Sequence, residues 1–169
     1  MPSTLTRKLE ILSNIAVTVA AVVVCAVLIR GQMQPDGPPA HESLQGKSVD
    51  IETITATPAE RNVVLAISQT CHFCQKEMPF YRNLGELAAR TQAHVYAVFP
   101  PGEKESEKYL GGQSVRTDGV VSQKLADLGV WGTPTLLLVD AKGKIERAWV
   151  GALSEAQEEE VLQAIQHGV

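Results

Sequence analysis

Cysteine and aromatic residues are scarce in this 169-residue chain: there are three cysteines, and Phe, Trp and Tyr make up 5% of the sequence. Cys25 lies in an apolar stretch near the N-terminus, so only Cys71 and Cys74 remain for the rest of the chain. Two cysteines are too few for a small domain held together by several disulfides. A second C-x-x-C pair and a cluster of Met and His are both missing, which disfavours a structural zinc site or a soft-metal site.

An excess of positive charge is also missing. When Arg7, Lys8, Glu10 and Arg30 near the N-terminus are set aside, 12 basic and 18 acidic residues remain. This balance repels the phosphate backbone of DNA and RNA. We therefore expect no nucleic-acid partner.

A long apolar run is present near the N-terminus. Residues 9–29 carry a single charged side chain and, as a helix, would be roughly 30 Å long, enough to cross the hydrocarbon core of a bilayer. We predict a single-pass membrane anchor at residues 1–30, with a cytoplasmic N-terminus because Arg7 and Lys8 precede the run. The rest of the chain would then be extracytoplasmic, in the periplasm. A cleaved signal peptide is the alternative, but no clear cleavage site precedes Gln34.

A short linker and one globular domain are expected after the anchor. Residues 31–46 contain three prolines and three glycines, a composition that opposes both helix and strand. The predicted domain is residues 47–169, which is long enough to bury a core of its own.

The domain sequence predicts alternating strands and helices, and therefore an α/β sandwich: a central mixed β-sheet flanked by helices, mostly parallel with an antiparallel end. A capping box at Ser154 and Gln157 marks the start of the last helix, which runs to about Gln166. The predicted strands are residues 49–55, 63–68, 94–99, 114–116, 135–140 and 145–150. The other predicted helices are residues 75–90, a short helix that begins at residue 106, and residues 120–128. Pro79 should kink the first of these helices.

The segment Cys71-His72-Phe73-Cys74 lies where the predicted strand at residues 63–68 gives way to a helix. A cysteine at such a junction faces unpaired backbone N–H groups and the positive end of the helix dipole, and both favour the thiolate. The C-x-x-C spacing also allows the two sulfurs to join. We therefore predict a redox-active disulfide, Cys71–Cys74.

The order of elements, with C-x-x-C after the first buried strand, resembles the thioredoxin fold. Thr133-Pro134 precedes a hairpin strand, where thioredoxin-like proteins have a cis-proline facing the dithiol. The segment from Cys74 to Pro79 is similar to the C-x-x-E-x-P motif of the membrane-anchored TlpA/ResA-like branch. Residues 140–151 resemble the D-x-x-G-x-I…G hairpin of the same branch.

Two positions depart from the family pattern. Thr70 stands directly before the first cysteine, where the family usually has Trp, and Leu65 occupies a strand position where many thioredoxins bury an acid. The missing acid removes one proton acceptor for the thiol of Cys74. The resemblance implies that Glu77 takes over this role.

The other site residues are assigned from the chemistry of the dithiol and from the resemblance. Cys71 is the nucleophile that forms a mixed disulfide with the substrate, and Cys74 resolves it. Glu77 is the third candidate catalytic residue, with an exposed helix carboxylate as the alternative. For Trp131, packing against the domain is the alternative. For His72, the alternative is a solvent-facing loop position without a role. The predicted substrate-binding residues are His72, Phe73, Trp131, Thr133 and Pro134.

The function that the resemblance implies is an extracytoplasmic thiol–disulfide oxidoreductase without cofactor or metal. It would reduce disulfides of protein substrates, often in cytochrome c maturation or metal-centre assembly, with electrons from a membrane thiol transporter. A peroxiredoxin-type thiol peroxidase is one alternative: Ser68 has the required spacing to Cys71, but Val64 replaces that family's proline. A non-enzymatic module that delivers copper or another metal through the two sulfurs is the other.

Overall fold

The computed structural model of the protein describes residues 17–19, 44–51, 59 and 61–167. Strands and helices alternate through most of these residues, as predicted. In chain order the elements are β1 (Arg61–Ala66), α1 (His72–Lys76), α2 (Met78–Thr91), β2 (His94–Phe99), α3 (Ser106–Gly112), β3 (Gly119–Ser122), a 3-10 turn (Leu125–Leu128), β4 (Thr135–Asp140), β5 (Ile145–Val150) and α4 (Glu155–His167).

The five strands form one mixed sheet in the order β3-β2-β1-β4-β5. The β1–β2 and β2–β3 pairs are parallel, and the β1–β4 and β4–β5 pairs are antiparallel. The predicted α/β class and mixed sheet are confirmed. Because Ala66 at the end of β1 pairs with Thr135 at the start of β4, the segments that follow Ala66 and precede Thr135 meet at one edge of the sheet.

Both faces of the sheet are covered, and alternate residues of each strand point to opposite faces. Val63 and Leu65 of β1 belong to a core that includes buried side chains of α2 and α4. Val64 and Ala66 belong to a second core, completed by buried residues from 44–51 and by Leu128 of the 3-10 turn. The segment before β1 therefore contributes to the folded domain.

Two predicted elements between β2 and β4 are wrong. Residues 114–116 are not a strand, and Ser114 has a φ of +58° that no strand accommodates. Residues 120–128 are not one helix, because Gly119–Ser122 pairs with β2 as the parallel edge strand β3 and only Leu125–Leu128 forms a short turn. Pairing with a buried neighbour outweighed the helical pattern, as often happens for β-branched residues such as Val120 and Val121.

The helices near the cysteines and at the C-terminus agree better with the helices predicted from the sequence. The predicted helix at residues 75–90 is divided into α1 and α2 at Glu77, and Pro79 occupies the first turn of α2, where its missing N–H breaks no helical hydrogen bond. The predicted cap of α4 is present: the Ser154 N–H donates to Gln157 Oε1 at 2.9 Å and the Gln157 N–H donates to Ser154 Oγ at 3.4 Å.

The start of the domain differs from the predicted boundary at residue 47. Leu44 is 4% exposed, and the Gly46 N–H donates to the carbonyl of Ile145 at 2.8 Å. In place of the strand predicted at residues 49–55, the described residues show only an isolated bridge between Ser48 and Lys144, and residues 52–55 lie outside them.

The predicted anchor at residues 1–30 lies outside the described residues, apart from residues 17–19. In the part of the chain that the structure describes, no helix has the length and apolar character needed to span a membrane.

Candidate active site

Cys71 and Cys74 form a disulfide, with their Cα atoms 5.2 Å apart. Cys71 is the N-cap residue of α1, and its sulfur accepts a hydrogen bond from the backbone N–H of Cys74 at 3.1 Å. The two sulfurs differ in their surroundings, because Cys71 is partly exposed and Cys74 is completely buried in the core beneath α1. Only Cys71 is therefore open to a sulfur atom of another protein.

The backbone around Cys71 is fixed from both sides. The Ile67 N–H donates to the carbonyl of Val98, which continues the β1–β2 pairing beyond Ala66 by one bond of 3.0 Å. The Cys71 N–H donates to the carbonyl of Ser68 at 3.2 Å, and the Cys71 carbonyl accepts from the Gln75 N–H at 3.1 Å. This turn carries the chain from the sheet edge into α1.

The segment before β4 forms the opposite side of the site. The Thr133–Pro134 peptide bond is cis, as predicted, and the Thr133 carbonyl oxygen lies 3.4 Å from Cys71 Sγ. The Pro134 carbonyl accepts from the Gly151 N–H at 2.8 Å, and Thr135 Oγ1 donates to the carbonyl of Gly132 at 2.9 Å. These bonds tie the segment to the end of β5 and to its own turn.

Large apolar side chains are exposed on the segments around the dithiol. Trp131 is 89% exposed, Phe73 is 54% exposed and Val150 is 42% exposed. The exposure of Trp131 shows that the packing alternative for this residue is wrong. His72 is also exposed, and its ring meets the ring of Phe73 edge-on at a centroid distance of 5.9 Å. Val150 was not predicted from the sequence; its place as the last residue of a strand next to a glycine gave no signal of exposure.

Glu77 is buried, so the alternative of an exposed helix carboxylate is wrong: the residue is 8% exposed. Its Oε2 has no hydrogen-bond partner among the described residues. Burial raises the pKa of the Glu77 carboxyl, a hydrogen bond from the Leu153 backbone lowers it in part, and the charge of Glu158 raises it further. Burial also raises the pKa of Tyr81, with smaller contributions from Glu77 and Glu158. The arrangement favours a Glu77 carboxyl that can hold a proton.

Sequence reasoning missed a second carboxylate, Glu103. It accepts hydrogen bonds from Ser68 Oγ at 2.5 Å and from the Gln69 N–H at 2.9 Å, directly before the dithiol. No local pattern could have indicated this contact, because about 35 residues separate the partners. Among the residues that the structure describes, no three His, Cys, Asp or Glu side chains are grouped closely enough to hold a metal ion.

A half-exposed and a buried cysteine, joined at the start of a helix and facing a cis-proline, define the class of thioredoxin-fold dithiol proteins. The family model described as "Thioredoxin-like domain" matches residues 49–166. The chain therefore belongs to the thioredoxin-like domain family. The predicted enzyme class, a thiol–disulfide oxidoreductase, agrees with this family and with the Cys71–Cys74 pair.

Solved structures with the same fold are numerous and distant in sequence. The thioredoxin domain of a thiol-disulfide oxidoreductase from Bacteroides vulgatus has 20% identity and a TM-score of 0.55, over 70% of this chain and 86% of that one. A thiol:disulfide interchange protein from Bacteroides sp. has 18% identity and a TM-score of 0.54, over 71% and 85%. StoA from Bacillus subtilis has 17% identity and a TM-score of 0.52, over 63% and 83%. No curated protein matches the chain in sequence.

Proposed function

We propose that this protein is a membrane-anchored, extracytoplasmic oxidoreductase that reduces disulfides of protein substrates through Cys71 and Cys74. The observation that supports the exchange reaction most directly is the contrast between the two sulfurs. Cys71 is partly exposed and receives the Cys74 N–H, whereas Cys74 is fully buried one helical turn away. This is the asymmetry that a two-step exchange requires.

In the first step, the Cys71 thiolate attacks one sulfur of a substrate disulfide. The substrate S–S bond breaks, a Cys71–substrate disulfide forms, and the second substrate sulfur leaves as a thiolate. In the second step, Cys74 loses its proton and its thiolate attacks the Cys71 sulfur. The Cys71–Cys74 disulfide forms and the substrate leaves with both sulfurs reduced, so two electrons have passed to it.

Glu77 would serve the second step, because the Cys74 thiol must lose a proton although its side chain is completely buried. The buried Glu77 carboxyl lies three residues after Cys74, at the junction of α1 and α2. A carboxyl whose pKa is raised by burial exchanges a proton at a pH closer to neutral than an exposed one. We propose that it relays the proton between Cys74 and solvent.

The surface around Cys71 would bind an extended segment of the substrate. The Thr133 carbonyl lies beside the nucleophilic sulfur and can accept a backbone N–H from such a segment. The exposed Phe73 and His72 lie between the two cysteines, and the exposed Trp131 lies two residues before Thr133, so these side chains offer contact area near the dithiol. Aromatic side chains of this kind contribute strongly to protein–protein contacts.

The proposed location rests on the sequence, and the proposed direction rests on the resemblance to the TlpA/ResA-like branch. Residues 1–30 would anchor the domain on the extracytoplasmic side, and a membrane thiol transporter would return the disulfide to the dithiol state. Carbonate extraction and protease accessibility in intact cells test the anchor. Equilibration of the Cys71–Cys74 pair with glutathione tests the direction, since a reductant must hold its disulfide more stably than its substrates do.

The deciding experiment uses the reduced full-length protein and a protein disulfide such as insulin. The wild type should reduce it, Cys71→Ala should not, and Cys74→Ser should accumulate a covalent complex with the substrate. Partners trapped by Cys74→Ser in cells would show whether apocytochrome c or a metal-centre protein is the substrate. Reduction that survives Cys71→Ala would contradict the proposal, and peroxide consumption that survives Cys74→Ser would favour a thiol peroxidase instead.

A further inference from the structure

We infer that Glu103 is a positioning residue for Cys71: its carboxylate fixes residues 68–70, the turn that leads into the nucleophile. The inference deepens the proposed function and rests on it for the reaction concerned. Glu103 lies in the loop between β2 and α3 and contacts neither sulfur. It acts through Ser68, whose carbonyl accepts the Cys71 N–H at 3.2 Å.

The hydrogen bonds around Ser68 leave no freedom in their direction. A hydroxyl has one hydrogen, and Ser68 Oγ gives it to Glu103 Oε1 at 2.5 Å. Because that hydrogen is used, Ser68 Oγ accepts in its other two contacts, from the Thr70 N–H at 3.2 Å and from Thr70 Oγ1 at 3.0 Å. Ser68 is 8% exposed. The carboxylate of Glu103 is therefore the acceptor of the Ser68 hydroxyl.

A second set of bonds joins the same two loops. The Gln69 N–H donates to Glu103 Oε2 at 2.9 Å. The Gln69 side-chain amide donates to the carbonyl of Lys104 at 2.9 Å and to Ser106 Oγ at 3.1 Å. Both carboxylate oxygens of Glu103 are used, one by the side chain and one by the backbone of the turn. A bidentate contact of this kind fixes orientation as well as distance.

The composition of the turn explains why it needs an external acceptor. Residues 68–70 contain no apolar side chain, and Thr70 is exposed. Polar contacts therefore hold the turn in place together with the burial of Ser68. The placement of Cys71 Sγ, 3.1 Å from the Cys74 nitrogen and 3.4 Å from the Thr133 oxygen, depends on where this turn delivers the chain.

The test compares Glu103→Ala and Glu103→Gln with a control variant, Glu107→Ala. Glu107 is an exposed glutamate of α3 and makes no described hydrogen bond to the turn. The glutamine amide can accept the Gln69 N–H and donate to Ser68 Oγ, which then turns its hydrogen to Thr70. It thus keeps the geometry and removes the charge. Two rates are measured: reduction of a protein disulfide, and alkylation of Cys71 across pH in the Cys74→Ser protein.

Glu103→Ala should slow both rates about tenfold or more and shift the pH midpoint of alkylation, because small displacements of a reacting atom are costly. Glu103→Gln should recover most of the wild-type rates, and Glu107→Ala should match the wild type. Wild-type rates and pH midpoint in Glu103→Ala would overturn the inference, as would a Glu103→Gln protein as slow as Glu103→Ala.

Two further results separate this inference from other failures. If the wild type reduces no protein disulfide, the proposed function fails, but the alkylation profile still measures the positioning of Cys71. If Glu103→Ala does not fold, Ser68→Ala removes the bond to Oε1 while leaving the Gln69 N–H on Oε2. It should slow alkylation by a smaller factor, and an unchanged profile in Ser68→Ala would overturn the inference.

Discussion

The carbonyl oxygen of Thr133 lies 3.4 Å from the sulfur of Cys71, although 62 residues separate the two in the chain. The antiparallel β1–β4 pairing produces this contact, since Ala66 and Thr135 are partners at the end of the ladder. Four residues lie between Ala66 and Cys71, and only one lies between Thr133 and Thr135. The site is thus placed by a pairing that includes β1, the central strand of the sheet.

The unequal burial of the two sulfurs predicts unequal reactivity. In the reduced protein a bulky maleimide should modify Cys71 about 100-fold faster than Cys74, because the reagent reaches Cys74 only through local opening of α1. Mass spectrometry of timed samples gives both rates. In Cys71→Ser, Cys74 should remain almost unmodified while the protein is folded and react fully in denaturant, and in Cys74→Ser, Cys71 should react as in the wild type. Similar rates at both positions would contradict the burial of Cys74.

Glu77→Gln should change the pH dependence of stability. Burial raises the pKa of this carboxyl above its ordinary value of 4.5, so the folded chain binds more protons than the unfolded chain as pH rises through that value. The free energy of unfolding therefore falls with pH in that window. Glu77→Gln removes this loss, so its stability relative to the wild type should increase from about pH 4 to about pH 8. Urea unfolding of the oxidised proteins at both pH values measures the difference.

The matched control for this prediction is Glu159→Gln, which changes an exposed carboxyl of α4. A pH dependence that this variant shares with Glu77→Gln would not come from the burial of Glu77. Glu158→Gln should act in the direction of Glu77→Gln but more weakly, because the charge of Glu158 contributes to the raised pKa of Glu77. A constant difference between Glu77→Gln and the wild type across this range would contradict the effect of burial on Glu77.

Local sequence patterns predicted most of the fold, because in most segments the local conformational preference agrees with the long-range pairing and packing. The strands His94–Phe99, Thr135–Asp140 and Ile145–Val150 have the predicted bounds, since each is a short apolar or alternating run between turn residues. The prediction failed at Gly119–Ser122, where four residues join the sheet only because β2 offers a free edge. An edge of this kind has no signature in the sequence of the strand that fills it.

The site was predictable where chemistry is encoded in a local motif. Cys71, Cys74 and Pro134 were found from spacing and from the resemblance. Glu103 was not, because it reaches Ser68 and Gln69 across about 35 residues and sits among other charged residues in its own loop. Only the parallel β1–β2 pairing, which brings the ends of both strands to one edge, reveals the contact.

Replacing each of the two tryptophans by alanine should have a different effect: one change should affect substrate binding and the other the stability of the domain. Trp131 is 89% exposed, so Trp131→Ala should change the free energy of unfolding by less than about 0.5 kcal/mol. If it contacts the substrate, KM for a protein disulfide should rise several-fold while the rate with a small-molecule disulfide stays constant. Trp149 is 2% exposed and its indole N–H donates to Glu160 at 3.3 Å, so Trp149→Ala should cost about 3–5 kcal/mol.

Denaturant unfolding and steady-state assays with both substrates check this pair. An equal loss of rate with protein and small-molecule disulfides in Trp131→Ala would contradict a role in binding the substrate. A loss of stability in the same variant would show that Trp131 packs against the domain after all.

Substitution of three glycines by alanine should distinguish the energetic cost of backbone strain from that of a steric clash. Gly143 has a φ of +80°, and a Cβ there would lie 2.8 Å from the Val49 carbonyl oxygen. Gly102 has a φ of +97° with no neighbour for a Cβ within 4 Å, and Gly111 has neither constraint. Gly111→Ala, within α3, should be neutral or stabilising by up to about 1 kcal/mol. Gly102→Ala should cost about 1–2 kcal/mol through its positive φ alone.

Gly143→Ala should cost the most, because it adds a steric clash to the same backbone strain. The Val49 N–H also donates to the Gly143 carbonyl at 2.8 Å, so relief of the clash must displace the segment at residues 44–51 that covers the second core. We expect a loss of about 3 kcal/mol or more, measured by urea unfolding of the three variants under one condition. Equal losses for Gly143→Ala and Gly102→Ala would mean that Val49 does not approach the β4–β5 turn as closely as described.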